Sequence, residues 1–570
     1  MTSLSSSAKN QSGSPIIRLS IDDKVMRLLL VLLFAFLAVS VFMPIYSLLS
    51  RSVRDSDGNF VGLDNFSRFF GESGLAAAAW NSVFIATLST IITVIVAFGF
   101  AYSFSRSRIR FKPMFRGAAM IPLLAPSLLP AIALIYLFGQ KGFANQLLLG
   151  HSIYGPIGIV LGEVIFSLPQ AILILTAALS TADQRLYDAA TTLRAKPLRV
   201  FMQVTLPGCR YGLISTAMAV FVRVFTDFGV PVVIGGSYPV LATEIYKQVV
   251  GRYDFEMGAV VGIFLLIPAL VSIIVDRAMR RHQQAMVSAR AVPLVIGVDR
   301  IRDAICFVLC AAVSFVIFGI ICVAIFGSLV KYWPYNLSLT LDNYNFQDVD
   351  NTGLQVYINS LTLSFYTALF GTIIIFMGAY LIEKMKGLEQ LKMLTQLMCV
   401  VPLAVPGLVL GLSYIFFFNN PSNPLHFIYG TMTILVISTI THFYTVPHMI
   451  ATVALKQIDK EFEVVAASLR VPFHHVLRRV TLPICLPAIT DIWGYLFVNS
   501  MTTVSVVIFL YPASTRLASI TVVQWNDSGK IATAAAMAVT IFATSAVVMG
   551  LKALVNRLIF ANSQVWRRGL

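Results

Sequence analysis

Charge is scarce in this chain of 570 residues: Asp, Glu, Lys and Arg make up 12% of it, about half the ~25% of an ordinary globular protein. With 57% hydrophobic residues as well, the composition excludes a water-soluble enzyme, a disordered chain and a collagen-like chain. Cysteine is sparse. Cys209, Cys306, Cys310, Cys322, Cys399 and Cys485 lie in or beside apolar runs, with no Cys-x-x-Cys and no His cluster nearby, so they read as buried small residues and no metal site is expected. No His-Glu-x-x-His or Gly-x-Ser-x-Gly occurs, which removes the readiest intramembrane enzyme readings, and no Gly-x-x-x-x-Gly-Lys-Ser/Thr occurs to bind ATP through a P-loop.

What the chain does hold is apolar blocks long enough to cross a bilayer, such as residues 28–49 and 84–101. Spans are expected near 26–49, 79–104, 118–138, 154–180, 207–235 and 256–276, and again near 303–329, 356–382, 396–418, 427–451, 484–510 and 531–555, twelve in all. The Ser-rich start shows no cleavage pattern and reads as a cytosolic tail before an uncleaved anchor. With both termini inside, 32 of the 42 Lys and Arg fall in cytosolic segments, 9 fall outside, and Arg223 sits within a span. The net charge of +16 is then a matter of topology, facing membrane lipid, and nucleic-acid binding is excluded as its cause. Trp80, Trp333 and Trp525 are candidate interface anchors.

The two sets of six spans are related. Leu63-Asp-Asn-Phe66 returns as Leu341-Asp-Asn-Tyr344, Asn81-Ser82 as Asn359-Ser360 and Ala101-Tyr102 as Ala379-Tyr380, all displaced by 278 residues. Pro122 and Pro126 return as Pro402 and Pro406 at 280, and Thr205-Leu-Pro207 as Thr481-Leu-Pro483 at 276. Such an ordered series marks an internal repeat. An even number of spans per copy makes the repeats parallel about an axis along the membrane normal. The expected division is a tail at 1–25, a first membrane domain at 26–276, a cytosolic linker at 277–302, a second membrane domain at 303–555 and a cytosolic tail at 556–570.

Residues 186–212 and 461–487 align without a gap, each with an Ala-rich patch followed by a Leu-Pro ending. This pattern resembles the EAA loop of binding-protein-dependent ABC importer permeases: Glu-Ala-Ala, three variable residues, Gly, and a hydrophobic-Leu-Pro ending thirteen positions later. Here Asp188-Ala189-Ala190 fills the first part, Arg194 stands for the Gly and Pro207 closes the motif. The second copy departs further: Val464-Val465-Ala466 fills that place with Ala467 next to it, and it has Glu463 one position early, Arg470 for the Gly and Pro483 at the same distance. The resemblance covers residues 25–555 and implies an all-α, polytopic, MetI-like permease with two tandem six-helix halves and about 12 transmembrane helices. It also implies two copies of a cytosolic ABC ATPase subunit docked on these loops, with ATP and magnesium bound there rather than on this chain. An extracytoplasmic solute-binding protein and a location in the bacterial inner membrane follow from the same likeness.

Polar residues within the spans are candidates for the translocation path. Arg223 and Asp227 are four apart and would share a helix face as an ion pair, and their counterparts Asn499 and Thr503 carry no charge. Glu163 and Asp491 are single intramembrane carboxylates, and Pro126 and Pro406 interrupt the third span of each half. The region 150–195 most resembles 2-aminoethylphosphonate transporter permeases, and an anionic solute suits Arg223, with ferric iron as the alternative solute. An ion-coupled secondary carrier shares the span count but not the paired loops.

Overall fold

The computed structural model describes residues 21–286, 292, 294–459, 461–469 and 471–563. It is almost wholly helical, with eight helices long and apolar enough to cross a membrane and four bent helix pairs that bring the count to twelve. In chain order these are α1 (Ile21–Ser52), α2 (Ser73–Arg106), α3 (Lys112–Leu124 with Leu128–Phe138), α4 (Pro156–Ser180), α5 (Pro197–Gly208 with Arg210–Thr226) and α6 (Phe255–Met279). They are followed by α7 (Arg300–Leu329), α8 (Gly353–Lys384), α9 (Glu389–Ala404 with Gly407–Phe418), α10 (Met432–His442 with Thr445–Lys456), α11 (Phe473–Thr502) and α12 (Ile531–Leu558). One small antiparallel hairpin, Val330–Tyr332 with Asn336–Leu339, follows α7 and has no sequence-based expectation behind it.

Lipid is as apolar as leucine, so close packing and internal hydrogen bonds, rather than the hydrophobic effect, must hold the helices together. The second helix of each set is built for that. Along α2 the buried face carries Ala78, Ser82, Ala86, Thr90, Thr93, Ala97 and Ala101, and along α8 it carries Ser360, Ser364, Ala368, Gly371, Thr372 and Ala379. Small residues about four apart let α4 and α5 approach α2, and α10 and α11 approach α8. The first helix of each set crosses to the other set: the Met43–Ser52 part of α1 packs on Gly407–Phe418 of α9, and α7 packs on Leu128–Phe138 of α3. Tyr414 in α9 donates its hydroxyl to the Ser40 carbonyl of α1 at 2.8 Å. A side chain at Gly327 would meet the Tyr136 ring at 2.6 Å, so that approach requires glycine.

The repeated peptides seal backbone that the helices leave open. Asn65 Nδ2 donates to the carbonyls of Ser52 and Arg54 at 3.0 and 2.8 Å, and Asn343 Nδ2 to those of Ser328 and Val330 at 3.0 and 2.9 Å. Ser82 Oγ accepts the Leu241 N–H, and Ser360 Oγ the Ala518 N–H, both at 2.8 Å. Lys112 Nζ donates to the Phe104 carbonyl at 2.8 Å, and Lys392 Nζ to the Met385 carbonyl at 2.9 Å.

Several boundaries differ from expectation. The fifth helix stops at Thr226 rather than 235, and its counterpart at Thr502 rather than 510, because the backbone turns extended at Asp227 and Thr503, with ψ of 137° and 139°. Cys322 is exposed, unlike the five other cysteines. Trp80 is exposed as an anchor would be, whereas Trp525 is 5% exposed and stacks on Phe346, which makes it a packing residue.

Replacing Asn65 or Asn343 by Ala strips two carbonyls of their donor. Each change should cost about 1–3 kcal/mol, and the double variant should show the sum because the sites share no partner. Thermal unfolding in detergent measures both.

Candidate functional site

Two short helices project between spans on the face richest in Arg and Lys. Gln184–Thr192 is capped by Asp183, whose carboxylate accepts the Arg185 N–H at 3.1 Å. Glu461–Ser468 starts likewise, with Asp459 accepting the Glu461 N–H at 3.0 Å. Asp188 and Ala189 are exposed, and Ala190 is buried. Asp188 accepts a bond from Gln184 Nε2 at 2.6 Å, which leaves its carboxylate at the exposed surface of the helix. Arg194 takes φ of 51°, the left-handed conformation that favours glycine, at the position where the loop motif has Gly. Ala466 is half-buried, the side chains of Glu463 and Ala467 lie outside the described part, and Arg470 lies outside the described residues.

Both loops present apolar side chains outside the spans. Leu186, Leu193 and Leu198 are exposed on the first, and Phe462, Val464, Val465 and Leu469 on the second. Paired apolar patches of this kind mark contact surfaces. Each loop then enters its membrane helix through a π turn, Phe201–Thr205 or Leu477–Thr481. Pro207 and Pro483 follow at once; neither has an N–H for the carbonyl four residues earlier, and the widened turn absorbs the mismatch. Tyr187 of the first loop helix hydrogen-bonds through its hydroxyl to Thr205 Oγ1 at 3.0 Å, so that helix is tied to the π turn beneath it.

A polar cluster lies deeper, at the end of α5. The expected ion pair of Arg223 with Asp227 is not what forms. The helix ends between them and no ion-pair contact forms, although each charge still acts on the other; Arg223 donates to Gln170 Oε1 at 3.1 Å and lies 4.2 Å over the Phe166 ring. Asp227 instead accepts the Val230 N–H at 2.9 Å. Glu163 is fully buried, with its carboxyl close enough to that of Asp227 for the two to share a proton. In the other set, Asn499 turns back on its own helix, donating to the Tyr495 carbonyl at 2.8 Å. Asp491 pairs with Lys552 of α12 at 2.6 Å, a helix-to-helix tie.

The third helix of each set bends sharply, by 101° in α3 and 115° in α9, at Pro126 and Pro406. The chain after the fifth helix comes against each bend. A side chain at Gly229 would lie 2.0 Å from Ser127 Oγ, and one at Gly407 would lie 2.2 Å from Ser505 Oγ. Ser127 and Gly407 are corresponding positions, as are Gly229 and Ser505. The contact therefore takes one Gly and one Ser in each half, in opposite order, a feature invisible to motif matching.

Residues 89–288 match the family described as binding-protein-dependent transport system inner membrane component. A ferric transport system permease protein of Haemophilus influenzae is 29% identical over 489 residues, covering 81% of this chain and 74% of its own length. Another, of Actinobacillus pleuropneumoniae, is 27% identical over 84% of this chain and 71% of its own. A molybdenum transport system permease protein of Mycobacterium bovis is 32% identical over 201 residues, 34% of this chain and 75% of its own. The chain belongs to the binding-protein-dependent permeases, the membrane-spanning components of ABC importers. Such a component is non-catalytic, and its family implies an ATPase and a solute-binding protein as partners.

Gly229→Ala should destabilise the chain by about 1–3 kcal/mol through overpacking against Ser127. Adding Ser127→Gly should restore most of that loss, because the Oγ it meets is gone. Unfolding midpoints of the two variants check this.

Proposed function

We propose that this chain forms both membrane halves of an ATP-driven importer for ferric iron in the bacterial inner membrane. In this reading residues 26–276 and 303–555 are two MetI-like domains joined by a cytosolic linker at 277–302, with tails at 1–25 and 556–570 and both termini cytosolic. The observation that carries the importer reading is the duplicated loop: a short helix with exposed apolar residues, a π turn and a Leu-Pro entrance to a membrane helix, twice, on the basic face. Asp188, Ala189, Ala190, Arg194 and Pro207, with Glu463, Ala466, Ala467, Arg470 and Pro483, are the coupling residues. ATP-driven closure of two ATPase subunits moves the two loop helices together. The π turns pass that movement into α5 and α11, and the halves rock between outward and inward openings.

Ferric iron is favoured over 2-aminoethylphosphonate because two relatives that span most of this chain are named as ferric transport permeases. Pro126 and Pro406, Glu163, Arg223, Asp227 and Asn499 are the path candidates; Asp491, tied to Lys552, fits packing better. The deciding experiment is uptake into proteoliposomes holding the ATPase and the cognate binding protein, scanned over ferric iron, aminoethylphosphonate and phosphate. ATP-dependent ferric uptake is expected. ATP-dependent uptake of the phosphonate alone would reassign the solute, and uptake that ignores ATP and collapses with the ion gradient would make the chain a secondary carrier.

Glu at both Ala190 and Ala466 should release the ATPase and abolish uptake while the spans remain folded, read by co-purification and circular dichroism. Arg223→Ala should lower ATP-driven uptake several-fold with little change in membrane insertion; equal uptake would make Arg223 a packing residue.

A further inference from the structure

After α6 the chain returns along the first loop helix before entering α7. The Gln184 N–H donates to the Val292 carbonyl at 3.0 Å, the Val292 N–H to Asp183 Oδ1 at 3.3 Å, and the Val295 N–H to Gln184 Oε1 at 2.9 Å. Further on, Arg302 donates to the Gly297 carbonyl at 2.6 Å and pairs with Asp303 at 2.9 Å. The Asp303 carboxylate also takes the Arg108 N–H, from the loop between α2 and α3, at 3.1 Å. The segment ending at Val298 is thus pinned at both ends against the first half.

Leu294 and Ile296 are half-buried, whereas Val295 and Val298 are each 71% exposed. Val295, whose N–H is bonded to Gln184, sets an exposed apolar side chain beside the loop helix that carries exposed Leu186. The opposite loop helix has no such companion among the described residues, where the Asp459 carboxylate caps Glu461.

We propose that residues 294–298 form part of the docking surface for one ATPase subunit, so that the two docking surfaces on this chain are unequal. The inference rests on reading the 184–200 loop as a coupling loop. An ATPase suits the strip better than lipid does, because the strip is bonded to the very helix read as the coupling helix and carries two exposed valines. Among the described residues the first-half surface is then a helix plus a bonded segment, and the second-half surface is a helix.

The test uses the full chain in nanodiscs with its ATPase. Cysteines placed at Ala189 and, separately, at Val465 report each docking surface by cross-linking yield across an ATPase titration. In the otherwise unsubstituted chain the Ala189 position should saturate at lower ATPase concentration. Val295→Asp with Val298→Asp should weaken the first surface about tenfold and leave the second unchanged. Gln184→Ala, which removes the segment's anchor without adding charge, should act in the same direction. Equal saturation at both positions, or no change in either variant, overturns the proposal. No cross-link at either position overturns the coupling reading along with it.

Discussion

Within a bilayer no water is present to satisfy a free N–H or carbonyl, and each one left unpaired costs several kcal/mol, so every interruption of a helix needs a protein partner. This structure has many interruptions: two bends beyond 100°, two π turns before Leu-Pro, and two extended segments after the fifth helices. Side chains that close backbone at helix ends recur in both sets of helices. Asn65 and Asn343 each gather two carbonyls, Ser82 and Ser360 each receive the first N–H of a short helix, and Lys112 and Lys392 each cover a carbonyl at the end of the preceding helix.

The same constraint explains what sequence made legible. A position that must donate to two carbonyls accepts few substitutes, so Leu-Asp-Asn and Asn-Ser survive in both copies while the lipid-facing residues between them drift. Span number and the loop helices were readable because long apolar runs and Pro punctuation act locally. The Arg223 and Asp227 pairing was misread because spacing of four implies a shared face only while the helix lasts, and it ends at Thr226. Nothing local announces that Val292 returns to Gln184, since the two are far apart in the chain. The Gly and Ser exchange between Gly229 with Ser127 and Gly407 with Ser505 is hidden for another reason: each half satisfies one steric requirement with opposite residues, so aligned positions look unrelated.

Two halves that repeat their scaffold but not their centre divide the labour of transport. In the proposed importer two ATPase subunits act on the scaffold, which suits matched ties on its two sides. The path has no such requirement, since the solute crosses once along one axis. Accordingly the scaffold ties are duplicated, whereas the buried acid Glu163, the cation Arg223 and the cap Asp227 occur in the first half alone.

Force has to cross from loop to path through parts that do not simply bend. The first loop helix meets that need at three points: Tyr187 holds Thr205 in the π turn, Arg106 of α2 lies 5.3 Å over the Tyr187 ring, and Arg106 also donates to the Leu179 carbonyl at 3.1 Å. A push on this helix therefore reaches α2, α4 and α5 together. The second loop is tied differently, through the Phe473 N–H donating to Asp22 at the start of α1, 3.1 Å away. Because α1 packs on α9, that tie links the loop of the second half to a helix that begins the first half and rests on the second. The crossed packing of α1 and α7 thus does more than hold two halves side by side. It gives the second loop a lever, through Asp22, on a helix that belongs to the first set.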